Sequence, residues 1–297
     1  MMILMEVKLT NIVDTYVRPD RDFISSDGLC YLIDIDDKKI LFDTGDQGII
    51  LLNNMQILEI DPKSIDMVVF SHGHWDHTFG IKALMQSRGD APPLKLMGHP
   101  NVFTRRRIKN PLLRLLAYLK YRWYNLGFPR LPKEIMDKLV ITKIVDPYEI
   151  TPILTTIGEI NEWKEKPSKI DKLSIELDGK FVEDDLLDDL SLVLKTKKGI
   201  VLILGCGHAG VLNICARAKE IHPDREIEMI IGGTHLVALT KEEELEYVAK
   251  QLETKYNKPQ LLFSHCTGQK AIDFMKNYFG KEIVKAFKVG DTLTFDC

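Results

Sequence analysis

The chain is poor in the features that usually classify a protein early. Its five cysteines (Cys30, Cys206, Cys215, Cys266 and Cys297) form an odd count with no Cys-x-x-Cys spacing. That excludes a secreted disulfide framework and argues for a reducing compartment, so a cytoplasmic protein is expected. No uninterrupted run of about 18 apolar residues occurs, and no membrane-spanning helix is expected. The apolar start at Met1 to Met5 has neither a basic leader nor a small-residue cleavage site, and reads as the approach to a first strand, with Met2 or Met5 as alternative starts. Positive charge is not in excess: 40 Lys and Arg face 43 Asp and Glu, for a net charge of −3. The chain as a whole is therefore not built to bind nucleic acid. No tandem repeat is visible. With 45% hydrophobic and 28% charged residues over 297 positions, it has the composition of a globular chain of one large domain or two small ones.

What is present is an alternation of strands and helices. Glu6 to Val13 alternates apolar and polar residues, as a half-buried strand does. Cys30 to Ile35 and Lys39 to Asp43 form an expected hairpin across Asp36-Asp37-Lys38. A helix with Ile50, Asn53, Asn54 and Ile57 on one stripe follows, then strands at Met67 to Phe70 and Leu94 to Met97, with a helix over Gly80 to Ser87 between them. In the second half, strands are expected at Ser191 to Lys195, Ile200 to Leu204, Glu228 to Ile231 and Leu261 to Phe263. Helices carry Ile214, Ala218 and Ile221, then Leu245, Val248, Ala249 and Leu252 behind a capping box of Thr240 and Glu243, and finally Ala271, Ile272 and Met275. Two halves of similar grammar suggest two sheets packed face to face under helices.

Histidines stand where the strands end. His72, His208, His235 and His265 each follow an apolar run, in the loops where α/β folds collect their chemistry. The segment Val68 to His77 reads Val-Val-Phe-Ser-His-Gly-His-Trp-Asp-His. If the extended backbone continues through Gly73, His72 and His74 face one side. Asp76 and His77 lie where the next helix begins and can face a second position. A buried polar turn would not need so much imidazole; a metal site would, and imidazole with carboxylate suits zinc, iron or manganese.

The run His-Gly-His-Trp-Asp-His has the form of the HxHxDH signature and resembles that of the metallo-β-lactamase fold superfamily. Phe42-Asp43-Thr44-Gly45 is similar to the family's early Asp-bearing turn, and Ser264-His265 to its late histidine. The resemblance implies a four-layer αββα sandwich of class α/β (α+β). It would be one domain over residues 1–297, with a basic helical insertion at about 101–138. It further implies that His72 and His74 serve a first divalent metal and that Asp76, His77 and His265 serve a second, with Asp43 supporting from behind. The family's separate third histidine and bridging aspartate have no direct counterpart. His208, Cys206 as a thiolate, and Asp188 or Asp189 are the candidates for those places, in that order. Gly-Cys-Gly-His-Ala-Gly, Gly-Gly-Thr-His-Leu and Ser-His-Cys-Thr-Gly are together similar to a subfamily of metal-dependent hydrolases. That subfamily includes an archaeal synthase of a dihydropterin ribofuranosyl-aminobenzene phosphate.

The expected activity is therefore that of a metal-dependent enzyme. It would use metal-bound hydroxide, oriented by Asp76, on a phosphate-containing or ester-like small molecule. The alternatives are a dihydropterin-type synthase, di-iron redox chemistry, or a non-enzymatic sensor stapled by metal. His235, after two glycines, reads as a substrate contact, and His99 as either substrate-facing or part of a turn. Cys266 should face the core if its strand persists, and the acidic run from Glu183 to Asp189 should be a solvated loop. The segment Arg105 to Lys133 holds nine Lys or Arg and no Asp or Glu. Arg105, Arg106 and Arg107 could take a substrate phosphate. Leu112, Leu115, Leu116, Leu119, Trp123 and Leu126 form a helical stripe flanked by Lys120 and Arg122. A lid or homodimer contact is the first expectation for this segment, peripheral membrane contact the next, and single-stranded nucleic acid the last.

Overall fold

The computed structural model of the chain describes residues 5–121, 125–165 and 173–297, the side chains of 120 and 121 excepted. Arg122, Trp123 and the side chain of Lys120, part of the expected stripe and its flanks, lie outside the described residues. In chain order the strands of the first half are β1 (Glu6–Val13), β2 (Cys30–Ile35), β3 (Lys38–Phe42), β4 (Met67–Val69), β5 (Leu94–Gly98), β6 (Arg106–Ile108), β7 (Leu139–Lys143) and β8 (Glu149–Thr151). Those of the second half are β9 (Leu154–Thr156), β10 (Leu173–Leu177), β11 (Lys180–Glu183), β12 (Leu192–Lys195), β13 (Ile200–Leu204), β14 (Ile227–Gly232), β15 (Gln260–Phe263), β16 (Val284–Ala286) and β17 (Thr292–Asp296). The helices are α1 (Gly48–Ile57), α2 (Trp75–Thr78), α3 (Ile81–Arg88), α4 (Pro111–Tyr121), α5 (Lys133–Met136), α6 (Val211–Ile221), α7 (Glu242–Thr254) and α8 (Gln269–Phe279).

Two seven-stranded sheets result, ordered β17-β1-β2-β3-β4-β5-β7 and β16-β15-β14-β13-β12-β9-β8. Strand alternation makes the layers. Val201 and Ile203 of β13 join Ile33, Ile40, Phe42 and Leu192 in a core between the sheets. Ile200, Leu202 and Leu204 point the other way, against Ile214, Leu245 and Ile272 of the second sheet's helices. Val68, Leu41 and Leu96 meet Leu51, Met55 and Leu84 on the outer face of the first sheet. This is the αββα sandwich, with each central strand apolar on both faces.

Local corrections follow from tertiary contacts. The buried stripe of α1 is Ile50, Leu51, Asn54 and Met55, rather than one through Asn53 and Ile57. Asn54 belongs inside because its amide donates to Ile12 O and Ile24 O, at 2.9 Å each. Helix α7 begins at Glu242, and the Glu244 carboxylate accepts the Lys241 N–H; the box lies one residue later than Thr240 and Glu243 suggested. The expected helical insertion is also partly strand: β6 pairs with β10, which pairs with β11, in a separate three-stranded sheet. The acidic run beside it is not a solvated loop, since Asp184, Asp188 and Asp189 are all buried.

Candidate metal centre

Chain reversals at the C-terminal ends of β3, β4, β13, β14 and β15 meet at one edge of the sandwich. Three non-glycine residues there take left-handed backbone: Asp43 (φ 64), His235 (φ 50) and His265 (φ 47). Such conformations persist only where surroundings impose them, and they cluster at functional sites. Two glycines permit the close approach. A Cβ on Gly205 would lie 2.1 Å from Ser71 Oγ, and one on Gly73 would lie 2.1 Å from Arg106 Nη1 and 2.6 Å from Val102 O.

Asp43 organises the histidine loop. Its Oδ1 accepts the Ser71 N–H at 2.7 Å, and its Oδ2 accepts the Ser71 hydroxyl at 2.6 Å and His77 Nδ1–H at 2.7 Å. With its own proton given to Asp43, Ser71 Oγ is left to accept His72 Nδ1–H at 2.9 Å. Both rings therefore turn Nε2 inward, the orientation that a carboxylate behind a metal-ligating histidine produces. His77 is anchored through its carbonyl as well, which accepts from Thr44 N–H and Oγ1 at 2.8 and 3.0 Å. Asp14 places the distant histidine by accepting His265 N–H at 3.0 Å.

The inward atoms crowd together. His77 Nε2 and His265 Nε2 are 3.2 Å apart, and Cys206 Sγ is 3.2 Å from each. Asp76 Oδ2 lies 3.6 Å from both imidazoles. His72 Nε2 and His208 Nε2 are 3.3 Å apart, and the His74 ring centroid is 4.5 Å from that of His72 and 5.0 Å from that of His208. Three groups each bring their ligand atoms within 4.8 Å of one another: Asp76, His77, Cys206 and His265; His72, Cys206 and His208; and Cys206, His235 and Cys266. Cys206 belongs to all three.

This donor set fits a metal. Imidazole nitrogens and a thiol facing one another at about 3 Å share too few protons to satisfy every inward atom, and a cation among them would satisfy them together. His74 Nε2 and His265 Nδ1 are buried with no hydrogen-bond partner, an expensive condition for a polar atom that finds none. Burial, reinforced by neighbouring imidazoles, holds His72, His74 and His208 well below the usual histidine range. Burial also lowers His265, to about 4. Burial opposes charge on His77 too, but the Asp43 and Asp76 carboxylates outweigh it and hold that ring at about 9. The Cys206 thiol is pushed up by burial, so its thiolate needs a cation beside it.

A cleft of about 360 Å³ opens over the cluster, walled by Trp75, Asp76, Leu126, Leu173, Cys206, His208, His235, His265 and Cys266. Cys266 thus faces the site rather than the core. β15 stops at Phe263, and His265 enters a tight turn, so strand alternation no longer applies. Other expected site residues lie elsewhere. His99 uses both ring nitrogens internally: Nδ1 accepts Asn101 N–H at 3.2 Å and Nε2 donates to Glu159 at 2.9 Å, which leaves no polar atom for a substrate. Arg106 is buried and donates to Asp184 Oδ2 (2.6 Å) and Asp188 Oδ2 (2.7 Å), so its charge is neutralised inside the protein instead of meeting a phosphate. Arg105 pairs with Glu176, and Arg107 lies over the Phe181 ring at 3.6 Å. Asp188 also accepts Gly73 N–H, and Asp189 accepts Ala209 N–H, both at 2.8 Å. These two carboxylates brace the loops of His72 and His208 and are absent from the donor groups. Sequence reasoning passed over Asp14 and Ser71. Asp14 had a signal, since it ends a strand just as the histidines do.

Residues 26–152 match the model of the metallo-beta-lactamase superfamily. The chain is 30% identical to the 7,8-dihydropterin-6-methyl-4-(beta-D-ribofuranosyl)-aminobenzene-5'-phosphate synthase of Methanocaldococcus jannaschii, over 97% of each chain. It is 28% identical to an uncharacterized protein of the same organism, over 89% of this chain and 95% of that one. Among solved structures it resembles Tm1679, a metal-dependent hydrolase of the beta-lactamase superfamily, with a TM-score of 0.76 and 23% identity over 97% of this chain and 98% of that one.

Proposed function

The chain belongs to the metallo-beta-lactamase superfamily, and from that premise we propose a metal-dependent enzyme acting on a phosphorylated small molecule. Its buried cluster would hold one or two divalent cations, with zinc, iron and manganese all suited to the donors. The carrying observation is the convergence of the two imidazole-rich groups on one shared sulfur. Asp76, His77, Cys206 and His265 would hold one cation. His72, His208 and Cys206, with the unpartnered Nε2 of His74 beside them, would hold the other. Cys206 would then stand where the superfamily's common pattern has a bridging aspartate.

Bound there, such cations lower the pKa of water and polarise phosphoryl or carbonyl oxygens. The protein's own part is to fix geometry. Asp43 and Ser71 hold the His72 and His77 tautomers, and Asp14, Asp188 and Asp189 hold the loops. Asp76 borders the open cleft while touching both His77 and His265, which suits it to orient the attacking group and accept its proton. Trp75, Leu126 and Leu173 give the cleft an apolar wall, and His235 a polar contact for the substrate. Five free thiols suit the cytoplasm.

A second reading, a synthase of the dihydropterin phosphate type, is favoured by the 30% identical relative, which spans nearly the whole chain. Elemental analysis of the purified protein, followed by assays on phosphodiester, lactone and dihydropterin substrates, separates the two. Turnover of phosphodiesters or lactones supports hydrolysis, and product formation from a dihydropterin supports the synthase. A protein that takes up no transition metal and turns over nothing in the panel defeats both.

A further inference from the structure

The cleft over the metal cluster leaves α4 unused. This helix packs on β6 and carries its leucines outward: Leu112 is 63% exposed, Leu113 53%, Leu116 52% and Leu119 60%. At 100° per residue these leucines and Leu115 cover about 160° of the helix surface. So wide a face of large apolar side chains in water marks an interaction surface. Beside it, under Pro111, Leu115 and Tyr118, is a cavity of about 490 Å³ to which, among the described residues, Arg105, Arg107 and Arg114 contribute and no Asp or Glu does. The nearby acids are already engaged: Glu176 by Arg105, Glu183 by Lys109, and Asp184 by Arg106. Among the described residues, Arg107 and Arg114 have no carboxylate partner.

We propose that α4 and this arginine-lined cavity form a docking surface for an anionic phospholipid membrane. Membrane chemistry complements both halves of the surface. The acyl boundary receives the leucines, and lipid phosphates meet the two uncompensated guanidiniums. A second copy of the chain fits less well, because a two-fold contact on this face would set the same cationic rims against each other. A soluble organic phosphate would use the cavity and leave the leucines in water.

Vesicle flotation of the intact protein tests the proposal, using phosphatidylcholine alone and phosphatidylcholine mixed with phosphatidylglycerol. The protein floats with the mixed vesicles, and binding falls about tenfold or more on neutral vesicles or in high salt. Either double variant, Leu112→Ser with Leu116→Ser or Arg107→Gln with Arg114→Gln, gives a similar loss while circular dichroism and bound metal stay unchanged. Protein that remains in solution with the mixed vesicles overturns the proposal. So does flotation that both double variants preserve, or a dimer in light scattering that the leucine variant splits while vesicles are ignored.

Discussion

Two polar clusters in this molecule look alike in sequence and differ in the folded chain. The histidines from 72 to 77 and the arginines from 105 to 107 are both dense runs of one side-chain type, and each lies beside a strand. Arg106, the centre of the second run, is buried with Asp184 and Asp188 and fully paired by them. The histidine cluster is buried as well, but most of its inward atoms meet one another, with, among the described residues, the Asp76 carboxylate alone facing them at 3.6 Å. A buried polar group that is satisfied within the chain is structural. Groups held with like atoms converging, and with bare nitrogens such as His74 Nε2, call for something from outside.

Four substitutions put that contrast at risk. Cys206→Ala removes the donor shared by all three groups, and metal content and turnover should both vanish while circular dichroism is unchanged; a variant that keeps its metal and its rate removes the basis of the proposed site. Arg106→Ala leaves two buried carboxylates without a counter-charge, and urea unfolding should show a loss of about 3–5 kcal/mol. A loss comparable to that of an exposed arginine would mean Arg106 is not structural. Asp43→Asn keeps the shape but weakens the hold on His77 and Ser71, and competition with a chelator should reveal a metal affinity lower by about 10–100-fold. Unchanged affinity would separate Asp43 from the centre. Arg107→Ala loses only its stacking on Phe181, worth about 0.5–1 kcal/mol by the same urea measurement, and leaves metal content intact. A larger drop would place Arg107 with Arg106 instead of on the surface.

Much of the sandwich was legible because its central strands are strongly patterned. β1, β2 and β13 have the bounds that alternation and apolar runs suggested. β6, β10 and β11 were not legible. They are short, β6 finds its partner β10 far along the chain, and β6 hides inside a run of arginines. The acidic run from 183 to 189 misled for the same reason: burial of Asp184 and Asp188 depends on Arg106, which is 78 and 82 residues away along the chain. Cys266 was misplaced because alternation was extended past the end of β15.

Read alone, the residues determined the alternation of the central strands and helices, the chemical type of the site, and the placing of histidines at strand ends. All of these depend on neighbours a few positions apart. Which polar groups find partners was decided only when the two sheets closed together. That step brought Cys206 against His77 and His265, gave Arg106 its two carboxylates, and left α4 with its leucines in water. The physical reason is that a buried charge or lone pair is stabilised or repelled by whatever lies within a few ångströms of it. Distance along the chain carries no information about that neighbourhood.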